Sequence, residues 1–140
     1  FARGLLGNEE GFKPDEIVDY VLPGKIPIGA IALEGKWKNN YGNLLHIGNG
    51  TGKIAYKFKA AKVFLVTEGK SSATILLNGK YLDNGNRGED VRIGKEGESI
   101  VEFSEPRMYS LVGGDLEFSE NLLEIEKLED GFAIYAFTFG

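Results

Sequence analysis

Cysteine is absent from all 140 residues, which removes disulfides, thiol nucleophiles, cysteine zinc sites and iron–sulfur clusters from this segment. Histidine occurs once, so two or three further ligands for a zinc site are missing and a Ser–His or Cys–His triad has no motif around it. A basic excess is also lacking. Sixteen Lys and Arg face 21 Asp and Glu, a net charge of −5, whereas nucleic-acid domains carry a basic stripe to meet phosphates. No run approaches the roughly 18 apolar residues of a membrane helix, so direct membrane insertion is not expected. Proline stands at 4 and glycine, although 20 in number, shows no three-residue period, which excludes collagen and proline-rich disorder. The opening Phe1-Ala2-Arg3-Gly4 is neither a signal peptide nor an initiator context, and the chain reads as a piece of a longer protein.

What remains is the material of one folded domain: 42% hydrophobic, 11% aromatic and 26% charged residues in a length that allows a single core. Residues 1–30 read as an irregular lead-in, packed on or linking to an upstream domain. Gly4, Gly7, Gly11, Pro14, Pro23, Gly24, Pro27 and Gly29 interrupt every periodic run, and Asp15–Leu22 is too short and too β-branched for a stable helix. From Ile31 to Gly140 the pattern changes to short alternating runs between Gly, Asn and Asp clusters. Lys53–Lys59 places Ile54, Tyr56 and Phe58 on one face and three lysines on the other. Val63–Val66 is continuously apolar and suits a central strand, and Ala73–Leu77 runs into Asn78-Gly79, a type I′ turn signal that returns the chain through Lys80–Leu82. Further strands are expected at 31–38, 43–47, 99–103, 107–112, 122–127 and 131–139. The last alternates Phe132, Ile134 and Ala136 with Tyr135, Phe137 and Phe139 and is expected to be buried on both faces, with Gly140 as the chain end. About nine such strands imply an all-β fold, a two-sheet antiparallel β-sandwich of jelly-roll type.

Several motifs have competing readings. Gly48–Lys53 resembles a phosphate loop, yet the five-residue glycine spacing fails and Ile54 stands where Ser or Thr would hold magnesium, so a hairpin turn is expected. Asn49-Gly50-Thr51 is an N-glycosylation sequon in the same loop. Asp83–Asp90 is rich in oxygen, but Gly85 and Gly94 replace EF-hand ligands, and a solvated loop without metal is expected. His46 is expected to be structural or at the surface. Acidic pairs such as Glu89 with Asp90 and Glu124 with Glu126 read as a solvated face, since nothing in the sequence brings two carboxyls across a cleft, and no catalytic residue is named. The aromatics are the better candidates for binding. Trp37, Tyr41, Tyr56, Tyr81, Tyr109 and Tyr135 are available either for the core or as platforms for a sugar ring, and Trp37 and Tyr41, flanked by Lys36, Lys38, Asn39 and Asn40, are expected to be the best exposed.

Leu33-Glu34-Gly35-Lys36-Trp37, Lys53–Val66, Leu76-Leu77-Asn78-Gly79-Lys80, Gly88-Glu89-Asp90-Val91, Arg107–Val112 and the closing Ala133–Gly140 together resemble a known family. They look like the C-terminal domain that follows the thioredoxin-like domain of DipZ-type thiol-disulfide proteins of the cytochrome c biogenesis group. The resemblance implies a jelly-roll sandwich like that of carbohydrate-binding modules, attached to an extracytoplasmic, membrane-anchored thioredoxin-like domain that holds the redox cysteines. It implies a non-catalytic accessory domain without cofactor, whose partners are that upstream domain and either protein substrates or glycan. An independent hydrolase is disfavoured, having no nucleophile motif. The candidate ligand-binding set is Trp37, Tyr41, Tyr81, Asp90, Arg107 and Tyr109.

Overall fold

A computed structural model describes residues 6–49, 51–114 and 120–139. Residues 1–5 of the lead-in, Gly50 of the sequon, Gly140 and the side chain of Phe139 lie outside the described residues. The described residues form twelve antiparallel strands: β1 (Ile17–Tyr20), β2 (Ile31–Asn39), β3 (Leu44–Ile47), β4 (Gly52–Phe58), β5 (Val63–Glu68), β6 (Ser71–Leu77), β7 (Lys80–Tyr81), β8 (Val91–Ile93), β9 (Ser99–Phe103), β10 (Arg107–Val112), β11 (Asn121–Leu128) and β12 (Ala133–Phe139). They hydrogen-bond in the order β10-β5-β12-β3-β2-β4-β11-β6-β9-β8, with β1 beside β2 and β7 beside β6. The expected all-β antiparallel sandwich is therefore present, as one sheet folded into two layers and nearly closed.

The fold line runs through β2. Its first half, Ile31–Glu34, pairs with β4, and its second half, Lys36–Asn39, pairs with β3 and β1. Gly35 lies between the halves at φ 98°, a conformation that L side chains rarely adopt, and so bends the strand from one layer into the other. β3 and β4 pair with different halves of β2, one on each side of this bend, and not with each other. The hairpin expected between them therefore does not form. His46 fills the inside of the corner. Its ring lies 5.0 Å from that of Trp37, and a Cβ on Gly52 would come within 2.6 Å of it, so glycine is required beneath the imidazole. Nδ1 faces the Glu129 carbonyl at 2.8 Å, and since a carbonyl only accepts, Nδ1 carries the proton.

Alternation gives each layer an inward apolar face, and the layers meet through aromatic pairs. Tyr56 of β4 stacks on Phe137 of β12 at 4.4 Å, and Phe103 of β9 meets Tyr109 of β10 edge-on at 4.9 Å. The alternation read in Ile54, Tyr56 and Phe58 holds, as all three are buried, and Val63–Val66 belongs to a central strand flanked by β10 and β12. Asn78 and Gly79 both have positive φ, 52° and 80°, and Leu77 pairs with Lys80, as a type I′ hairpin requires. The last strand departs from expectation. Its register shifts between Ile134 and Ala136, which makes Tyr135 a bulge residue facing solvent, so only the start of the strand is buried on both faces.

Within the lead-in the structure adds β1, in which Ile17 and Val18 supply the β-branched residues that favour a strand over a short helix. Two buried amides hold the lead-in down. Asn8 accepts from the Leu33 N–H at 2.7 Å and donates to the Leu33 carbonyl at 2.8 Å, copying the backbone of a paired strand. Tyr20 donates to Asn39 Oδ1 at 2.8 Å, and burial pushes its phenol above the usual tyrosine range.

The path ends at β10 and β8, and the stretch before β8 joins them. Gly88 N–H donates to the Leu111 carbonyl, Asp90 N–H to that of Ser110 and Gly113 N–H to that of Asn86. Gly88 approaches β10 so closely that a Cβ would lie 2.3 Å from the Ser110 carbonyl oxygen. Gly88→Ala is expected to lower unfolding stability in urea by about 1–3 kcal/mol, the usual cost of overpacking against backbone. A change within about 0.5 kcal/mol, the range of neutral surface substitutions, would show that the seam yields freely.

Candidate functional site

At that seam three of the six candidate residues come together. Arg107 stands first in β10, and strand alternation puts it on the same side as Tyr109, two residues on. Its guanidinium carbon lies 3.8 Å from the centroid of the Tyr109 ring, a cation–π contact. Nη2 donates to Asp90 Oδ1 at 2.8 Å, while the other carboxylate oxygen of Asp90 accepts the Ser110 N–H at 2.7 Å. Nε also lies 3.6 Å from the Glu105 carboxylate. The phenol of Tyr109 donates to the Glu105 carbonyl at 2.7 Å and accepts the Ser104 N–H at 3.0 Å. The hydrogen bond from Arg107 holds the Asp90 carboxyl below the usual aspartate range, with the Ser110 N–H acting in the same direction against partial burial.

This arrangement is a clasp. Both oxygens of Asp90 are engaged, the Arg107 guanidinium is divided among Asp90, Glu105 and the carbonyl of Met108, and the ring of Tyr109 is 0% exposed. A ligand seeking the carboxylate or the guanidinium would have to displace β10 contacts that hold the sheet together. Tyr109 therefore belongs to the core and is no platform, a correction of the sequence expectation.

Trp37 is corrected in the same way. It was expected at the surface, but it is 0% exposed at the β2 corner, packed on His46, with Nε1 donating to the Glu34 carbonyl at 3.0 Å. The lysines on either side mislead because a strand alternates: Lys36 and Lys38 turn outward while Trp37 turns in. The two remaining aromatics are exposed, Tyr41 by 84% in the β2–β3 turn and Tyr81 by 51% on β7. They occupy different layers, β7 pairing with β6 and the β2–β3 turn lying in the other layer, so no single platform includes all the candidates.

A surface depression of about 590 Å³ lies elsewhere, in the lead-in, lined by Glu9, Glu10, Val21, Leu22, Pro23 and Gly24. The Glu10 carboxylate there accepts the Val21 N–H at 2.9 Å. Among the described residues no three His, Asp or Glu side chains gather as a metal site would require. Two buried polar atoms among the described residues, His46 Nε2 and Thr67 Oγ1, have no hydrogen-bond partner. His46 is structural, consistent with one of the two expectations for it.

The outer faces of the two layers differ in chemistry, which no candidate list foresaw. On the β4–β11–β6–β9 layer, Lys53 bonds Glu124 at 2.6 Å and Glu126 at 3.3 Å, Lys57 faces Glu120 at 3.8 Å and Arg92 bonds Glu102 at 3.2 Å. Burial pulls the Lys53 ammonium down in pKa, but its two glutamates outweigh that and leave it raised. On the other layer, Met108, Val66 and Ala136 stand in one cross-strand row and Ser110, Phe64 and Thr138 in the next. That face carries no ion pair among these positions, and Met108 is 52% exposed.

The family described as the thioredoxin-like C-terminal domain matches residues 2–140. The chain belongs to that family. No curated protein matches it. A thioredoxin-like C-terminal domain without cysteine, and with its central polar cluster committed to closing the fold, is an accessory domain of a thioredoxin-like protein.

The clasp has a defined pH dependence. Asp90 has a folded-state pKa below its unfolded value, so its contribution is complete above about pH 4–5 and is lost as pH falls through the lower folded value. Asp90→Asn is expected to be less stable than the parent at neutral pH and to converge with it in acid. Parallel stability curves for the two proteins down to acid pH would overturn this assignment.

Proposed function

We propose that this domain serves an extracytoplasmic, membrane-tethered thiol-disulfide oxidoreductase of the DipZ type as a non-catalytic accessory part. It docks on the thioredoxin-like domain of the same polypeptide and helps present that domain to partner proteins. The observation that carries the reading is the family match over residues 2–140 in a chain without cysteine. Thiol–disulfide exchange needs an attacking thiolate, so any redox step belongs to another part of the parent protein. The surface that suits a protein partner is the patch of Phe64, Val66, Met108 and Ala136, whose four side chains carry no charge. An apolar sheet surface gains by being covered, whereas the opposite face already satisfies its charges in ion pairs.

The parent protein with and without this domain would be compared in reduction of a disulfide-bonded protein substrate. A domain that positions the substrate adds binding common to ground and transition states, so its removal is expected to raise KM and leave kcat unchanged. Met108→Lys with Ala136→Lys, outward on the sheet, is expected to reproduce that rise. Unchanged kinetics in both cases, with no binding between the two domains, would end the proposal.

A second reading, a carbohydrate-binding module acting by aromatic stacking, is supported by the exposure of Tyr41 and Tyr81. Its test is retention on insoluble polysaccharide and on a glycan array. Retention lost separately in Tyr41→Ala or Tyr81→Ala would establish this reading, and silence of the parent domain on both supports would remove it.

A further inference from the structure

The sequence contains three Asn-Gly pairs, at 49–50, 78–79 and 84–85. This dipeptide is chemically labile because the glycine nitrogen, unhindered by a side chain, can attack the asparagine carboxamide. The described structure treats two of the pairs in opposite ways, while Gly50 of the third lies outside it.

Asn78 is tied down. Its Oδ1 accepts the Leu122 N–H at 2.8 Å and its Nδ2 donates to Asn121 Oδ1 at 2.9 Å, so both ends of the carboxamide are held by β11. Asn84 is exposed, in the loop after β7, and its surroundings favour reaction. Arg87 Nε lies 2.9 Å from its Oδ1, and because a guanidinium only donates, that atom is the carboxamide oxygen. The N–H of Gly85 donates to Asp83 Oδ1 at 2.8 Å. The two reacting groups thus each have a complementary partner: a cationic donor on the oxygen that becomes negative, and a carboxylate on the proton that must leave. The loop is held in this form from both ends. Asp83 N–H donates to Asn86 Oδ1 at 2.9 Å, and Arg87 Nη1 donates to the Val91 carbonyl at 2.6 Å.

We propose that Asn84 is a self-modifying site, converted through a succinimide to aspartate and isoaspartate by the loop that holds it. Asp83 takes the Gly85 amide proton as the nitrogen attacks Cγ of Asn84. Arg87 stabilises the oxyanion, and the tetrahedral centre collapses with cleavage of the Cγ–Nδ2 bond. Nδ2 leaves as ammonia with the proton delivered from Asp83, so no oxidant or co-reactant is needed. Water then adds to either imide carbonyl and returns its proton to the nitrogen. Opening at Cγ gives aspartate, and opening at the former backbone carbonyl gives isoaspartate, with the side-chain methylene now in the main chain. Either product carries a new carboxylate within reach of Arg87, just ahead of the Gly88 seam.

The chain would be incubated folded in mildly alkaline buffer at physiological temperature, and in parallel unfolded in denaturant. Conversion at each Asn-Gly pair would be followed by peptide mass spectrometry, with isoaspartate identified by chromatographic separation. A donor aimed at an oxyanion inside an active site is worth about 10²–10³ in rate. Here, in an exposed loop, a rise of about tenfold at Asn84 in the folded over the unfolded chain is expected, while Asn78 is slowed by folding. Arg87→Gln and Asp83→Asn are each expected to remove the folded-state advantage. Gly85→Ala, at a backbone φ open to L residues, is expected to suppress conversion in both states by crowding the nitrogen. Folded conversion at Asn84 no faster than in denaturant, or equal to that at Asn78, would overturn the proposal. So would variants at Arg87 and Asp83 that keep the fold, judged by circular dichroism, and react at the parent rate.

Discussion

A single strand, β2, belongs to both layers, and everything else in the fold is arranged around its change of direction. Four residues of β2 bond to β4 and four bond to β3, so bending at Gly35 brings two otherwise separate sheets face to face without breaking the hydrogen-bond ladder. The inside of such a bend is a place where neither layer can supply a full set of apolar side chains. Here it is filled by the His46 ring against Trp37, and the space for that ring exists because Gly52 has no side chain. Filling the corner with an imidazole leaves Nε2 without a partner among the described residues, a cost the fold carries where the ring's other nitrogen bonds Glu129 and the ring packs on Trp37.

Bending the sheet at one side creates a problem at the other, because the path has two free edges, β10 and β8, which left open would expose unpaired backbone. The stretch from Asn86 to Asp90 meets that need by bonding to β10, and the close approach at Gly88 explains why the backbone itself forms the seam. Asp90 then ties side chain to backbone across it, accepting from both Arg107 and the Ser110 amide. The charges at the seam are thus spent on closure. A carboxylate, a guanidinium and a phenol in contact resemble a binding site, but the partners of each show an architectural role.

Much of this was legible from residues alone. The alternation in Lys53–Lys59 and the Asn-Gly turn gave correct strands because both depend on local rules, a two-residue period and positive φ. The burial of Trp37 was not legible, since Lys36, Lys38, Asn39 and Asn40 look like a surface, and only the inward half of a strand's alternation assigns the face. The three residues of β8 are too few to show a period, and β1 lies among glycines and prolines that suggest irregular chain. The bulge at Tyr135 could not be read from the last strand because register depends on the pairing with β5. Asp90 and Arg107 entered as candidates through family resemblance. Their contact spans 17 residues of chain, and no local spacing rule joins them.

The two outer faces differ in what contact with another protein would cost each of them. A face of matched ion pairs gains little from contact, because an exposed pair such as Arg92 with Glu102 is worth about 0–1 kcal/mol and any partner must strip water from it. A face of Phe64, Val66, Met108 and Ala136 loses nothing of that kind when covered, and its methionine adapts to an irregular partner surface. Rigidity strengthens the contrast. The strands beneath this face pair in the order β10, β5, β12, each ladder with a single register shift, and their inward side chains include Leu65, Tyr109 and Leu111, all buried. A partner seated there meets a preformed surface and bears little ordering cost on the domain's side, so even modest apolar burial yields useful affinity. Contact of that kind needs no reactive side chain, so the proposed accessory role is compatible with a polar cluster committed to closing the fold.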